Sequence, residues 1–133
     1  MRSFSMKSLF CSAVLFTLAA CGGSSPTIAN AEVNPSTVAQ SGFVTNATFV
    51  VSCDVLHFGG DIKTVRANVE GKNISVDLAR SGGALGAEKW SGTAQVTLLT
   101  GFSAGVYQID ITASDSNGVT TTKKAATSVT ITQ

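Results

Sequence analysis

Few side chains in this chain could do chemistry, and their spacing limits what that chemistry could be. The 133 residues include three cysteines, one histidine and eight carboxylates. His57 stands alone, with no ladder of cysteines or carboxylates beside it, so a zinc centre of the usual ligand count has nothing to build it. Ser103, His57 and Asp110 supply the residue types of a hydrolytic triad, but no nucleophile elbow presents the serine. Asp110 projects to the face opposite Ile109 in an extended chain, and spacing places no second carboxylate beside it for acid–base work. There is no phosphate-cradling glycine motif. Asp115-Ser116-Asn117-Gly118 has the look of a short calcium loop, which makes Asp115 and Asn117 the metal candidates. The loop lacks the twelfth-position glutamate of an EF-hand. Asn117-Gly118 also suits a hairpin turn needing positive φ, the preferred reading. The expectation is a protein that is not an enzyme and uses no cofactor and no metal.

The elements that would position these groups read as strands. In Gly105 to Ser114, Tyr107, Ile109, Ile111 and Ala113 fall on one side and Gln108, Asp110, Thr112 and Ser114 on the other. That period of two marks a half-buried strand ending in the Asp115 turn. Upstream, Glu32 to Val38 reads as an edge strand broken at Pro35, which cannot donate to a ladder. Ala47 to Leu56 alternates, with Phe49, Val51, Cys53 and Val55 on one face. Ile62 to Glu70 and Ile74 to Ala79 follow. Arg80 to Ala87 is read as a loop, because its glycines leave little side chain to order. Trp90 to Leu99 and the threonine-rich Val119 to Gln133 complete about seven strands, the last interrupted near Lys123-Lys124. Such spacing predicts an all-β sandwich. Lys123 and Lys124 would protect an edge from strand addition. Phe43, Phe58 and Phe102 fall in loops, where they would cap the sandwich or form a patch for a partner.

Hydrophobic residues make up 44% of the chain and charged residues 13%, with a formal net charge of +1. Removing Arg2 and Lys7 with a cleaved leader would leave seven basic and eight acidic residues. No face is obviously basic, so nucleic acid is not an expected partner.

The leader itself is legible. Arg2 and Lys7 precede an apolar run, Ser8 to Ala20, too short to span a bilayer but suited to a secretory signal. Its end, Leu18-Ala19-Ala20-Cys21, resembles the lipobox of bacterial lipoproteins. The resemblance implies cleavage before Cys21, which then carries the acyl chains that hold the protein in the membrane. An ordinary signal cut after Ala20 would prefer a small residue at the position of Leu18. Gly22, where an aspartate would favour inner-membrane retention, implies the outer membrane of the bacterial cell envelope. The organisation expected is a signal peptide over 1–20, a lipidated flexible tether over 21–31 and a sandwich domain over 32–133.

A second resemblance covers Glu32 to Thr132. Gly105-x-Tyr107-x-Ile109-x-Ile111-x-Ala113-x-Asp115-x-x-Gly118 resembles the sixth-strand signature of bacterial immunoglobulin-like domains. Trp90-Ser91-Gly92-Thr93 looks like the tryptophan strand such domains place before it. The resemblance implies an immunoglobulin-like β-sandwich in which Tyr107 forms a tyrosine corner with backbone a few residues upstream. It also puts Ile109 where an inter-sheet disulfide would need a cysteine. Cys53 is thereby left without a partner, as a buried thiol or as an intermolecular or redox-active one.

The function these features predict is a membrane-anchored envelope lipoprotein displaying a non-catalytic binding or adhesion module, with an unidentified protein or polysaccharide partner. The alternative is a structural subunit that self-associates by β-strand pairing.

Overall fold

The structure, a computed structural model, describes residues 24–39, 47–72, 74–84, 86–96 and 103–132. Every regular element among them is a β-strand: β1 (Thr27–Asn34), β2 (Thr37–Ala39), β3 (Ala47–Leu56), β4 (Ile62–Val69), β5 (Ile74–Ala84), β6 (Ala87–Val96), β7 (Gly105–Asp115) and β8 (Thr120–Thr132). Their order is β1-β3-β6-β5-β4-β7-β8-β2. All neighbours are antiparallel except β2 and β8, which run parallel.

The continuous order folds into two layers because β5 changes partner midway. Ile74 to Leu78 pair with β4, and Ala79 to Ala84 pair with β6. One layer is therefore β1-β3-β6 with the end of β5, and the other is the start of β5 with β4-β7-β8-β2. This is the strand arrangement of an immunoglobulin-like sandwich. The strand count is eight because the predicted first edge strand divides at Asn34-Pro35, β1 lying on β3 and β2 on β8.

Alternation supplies the core. Phe49, Val51, Cys53 and Val55 of β3 face Val65, Ala67 and Val69 of β4 and Ile109, Ile111 and Ala113 of β7 in one buried cluster, joined by Trp90, Val96, Val129 and Ile131. β3 buries every second side chain from Phe49 to Val55, and the apolar inner faces of the two layers bury against each other, which drives them together.

Three expectations are corrected. Thr27 to Ala31, predicted as tether, are paired with β3, and Pro26 is fully buried. The domain thus includes residues several positions before the expected boundary at Glu32. Its mixed small residues hid the strand, and Asn30 interrupts the alternation at a bulge with φ of 51°. Arg80 to Ala84, predicted as loop, extend β5 and form a tight hairpin with β6. There Gly83 is required: its φ is +87°, and a Cβ would collide with the Ala87 carbonyl oxygen. Asp110 does not project into solvent but is 7% exposed. Opposite it, β8 makes a three-residue excursion between Lys123 and Thr127, with Ala125 at φ 49°. That excursion is the interruption expected near Lys123-Lys124, and it covers the carboxylate. The predicted strand end at Leu99, together with Phe43 and Phe102, lies outside the described residues.

Candidate functional site

The chemically distinctive groups gather at the end of the sandwich where β3 and β7 finish. His57 follows β3 and Asp115 closes β7. The His57 imidazole places Nε2 2.9 Å from Asp115 Oδ2, with both side chains 1% exposed. Asp115 Oδ1 accepts the backbone N–H groups of Asn117 and Val119, each at 2.8 Å. Burial alone would raise the Asp115 carboxyl, but these N–H donors and then His57 outweigh it and hold the group below its ordinary value. Neighbouring loops are tied to the same pair: His57 N–H donates to Gly86 O at 3.1 Å, and Ser116 N–H donates to Asp61 O at 2.8 Å. His57 Nδ1 is buried and has no hydrogen-bond partner among the described residues.

The calcium-loop candidate is therefore a turn. Asp115 directs both carboxylate oxygens at N–H groups, and the Asn117 side-chain amide donates to Gly59 O at 3.4 Å. Among the described residues, no three His, Cys, Asp or Glu side chains gather as a metal would require.

The triad on paper is dispersed by the same geometry. Ser103 stands beyond the opposite end of β7, where its backbone carbonyl accepts the Tyr107 hydroxyl at 2.8 Å and its N–H donates back at 3.0 Å. Tyr107 and Asp115 are roughly 25 Å apart along an extended strand. Asp110 is engaged elsewhere, accepting Ala125 N–H at 2.8 Å and Lys124 Nζ at 3.1 Å. These contacts, Ala125 first, hold its carboxyl low. The doubled Ser103–Tyr107 contact is a tyrosine corner at the position expected for it. Lys124 is thus a specific partner of Asp110 as well as an edge charge, and Lys123 Nζ reaches Ile28 O at 3.4 Å.

Trp90 lies in the core at 8% exposure, its Nε1–H donating to the buried Glu88 carboxylate at 3.1 Å. Glu88 was not singled out by sequence. Its place two residues before Trp90 on an alternating strand was the available signal. Asp54 on β3 accepts Asn30 Nδ2 and Lys89 Nζ at 2.8 Å each. Cys21 lies outside the described residues.

Cys53 is 2% exposed and unbridged, which places the thiol inside the sandwich. Burial, helped by the neighbouring Asp54 charge, pushes its pKa up to about 11. At pH 8 only about a thousandth of it is thiolate, and thiolate is the reactive form. Native protein is expected to react with iodoacetamide at least ~100-fold more slowly at Cys53 than urea-unfolded protein, by peptide mass mapping. Equal rates would show that the thiol is accessible.

Phe58 departs from the capping role. Its ring is 84% exposed although it sits beside Gly86 in the same loop cluster. With His57, Gly60, Asp61 and Gly86 it borders a hollow of about 240 Å³. The arrangement offers a tied end bearing the exposed Phe58 side chain. The chain matches no protein-family model, and no curated protein is similar enough to be matched to it.

Proposed function

We propose that this protein is a lipid-anchored lipoprotein of the bacterial cell envelope, most consistent with the outer membrane, that displays its sandwich as a non-catalytic binding or adhesion module. The observation that carries the reading is Leu18-Ala19-Ala20-Cys21 at the end of a short apolar run with a cationic start. Two or three acyl chains, at ~0.8 kcal/mol per buried methylene, would make the anchor stable. The ligand sought is an envelope or extracellular protein or a polysaccharide. The fold is compatible with many roles and does not select one.

Self-association by strand pairing is the weaker reading. The flank of β8 not covered by β2 carries Lys123 and Lys124 and a bulge, features that oppose addition of another strand.

Cys21→Ser is the test. The variant, expressed as the full chain, is expected to move from the membrane fraction to the soluble fraction and to lose the acyl mass on its N-terminal peptide. A variant still fully membrane-bound would refute the anchor.

A further inference from the structure

Ser24, the first described residue, and the exposed Phe58 side chain occupy the same end of the sandwich. Ser24 packs against Gly59: a Cβ at Gly59 would lie 2.6 Å from Ser24 Oγ and 3.6 Å from Ser24 O. Pro26 is buried and β1 begins at Thr27, so the chain is committed to the domain almost at once. Only Gly22 and Gly23 separate Ser24 from Cys21. Three Cα steps of 3.80 Å span at most about 11 Å. An anchor on Cys21 therefore cannot hold this domain far from the lipid, and the flexible tether expected over 21–31 is shorter still. That reach keeps the His57–Asp61 loop close to the headgroup layer, itself roughly 5–7 Å deep on each side of the hydrocarbon.

We infer that Phe58 is a second membrane contact, entering the interfacial layer of the bilayer that holds the Cys21 anchor and fixing the domain upright with its strands steep to the surface. The inference rests on the lipoprotein reading above. Aromatic rings favour the interface, where an apolar body meets a wet boundary. Gly59 and Gly60 keep bulk away beside the ring, and the Asp115–His57 pair with its tied turns makes a rigid base beneath it. The exposed charges flanking this loop are Asp61 and Lys63, of opposite sign, so contact does not depend on anionic lipid. The outward orientation has a consequence for the proposed display role: the opposite end, from Ser103 to Val106, becomes the end presented to partners.

The test uses the acylated protein purified from cells expressing the full chain, in phosphatidylcholine vesicles brominated near the headgroup end of the acyl chains. Phe58→Trp is read against Val106→Trp, which lies at the far end of β7 and is 61% exposed in the parent residue. Buried Trp90 is the common background in both. Phe58→Trp is expected to lose about half or more of its added emission to bromine, and Val106→Trp almost none. Both sites are exposed, so neither variant threatens folding; circular dichroism melts check this. Acylated protein in which Phe58→Trp is unquenched, or quenched no more than Val106→Trp, overturns the membrane contact and leaves the anchor standing. Protein without acyl chains on Cys21 overturns both.

Discussion

Asp115→Ala is expected to lower the melting temperature by roughly 10 °C or more at pH 7, because one side chain holds three donors at the end of the sandwich. Its removal strands the His57 imidazole and the N–H groups of Asn117 and Val119 without their acceptor. Buried donors left unpaired cost more than a typical hydrogen bond contributes. The turn that follows β7 also loses the contacts that set its shape, and with it the hydrogen bond from Ser116 to Asp61. Asp115→Asn keeps an oxygen for the two backbone donors and should cost less.

The same substitution should change the response to acid. Asp115 has a folded-state pKa below its ordinary 3.8, so the unfolded chain takes up its proton first as pH falls. The stability this group contributes is therefore complete above about pH 4 and is lost as pH drops through the lower folded value. Asp110 and Asp54 are depressed in the same sense and steepen the same limb. Melts from pH 2 to pH 7 should show Asp115→Ala with a shallower acid limb than the parent. A parent-like limb, or a melting temperature within a degree or two of the parent at neutral pH, would show that the carboxylate is not structurally important.

Phe49→Ala should be the most damaging single truncation in the core, at about 3–5 kcal/mol. Phe49 is 1% exposed on β3, in the cluster where β3, β4 and β7 meet. A domain of this size has a total stability of only about 5–15 kcal/mol, so the loss is at least about a fifth of it. Among the described residues no covalent staple compensates: Cys53 is unbridged, and Ile109 occupies the β7 position where a bridging cysteine would be sought. Urea unfolding should show a lower midpoint with an unchanged slope, since the surface exposed on unfolding is the same. A loss under about 1 kcal/mol would mean that the core collapses to fill the space, and that stability is carried elsewhere.

Residue pattern alone determined the strands whose neighbours in sequence share the work of burial. β3 was legible to the residue, Ala47 to Leu56, because Phe49, Val51, Cys53 and Val55 alternate without interruption. Gly105 to Ser114 was legible for the same reason, with Tyr107 at a corner that the structure contains. Tertiary structure decided what alternation could not. Glycines carry no face, so Arg80 to Ala84 looked like a loop until β6 offered them a partner. Asp110 alternated outward, yet a bulge on β8 closed over it. His57 and Asp115 are 58 residues apart, and neither has a spacing signal that points to the other. Their pairing exists because β3 and β7, in different layers, run in the same direction and finish at the same pole. The physical reason is one of range. Side-chain period is set by the local backbone, whereas partner, layer and pole are set by which strands lie side by side.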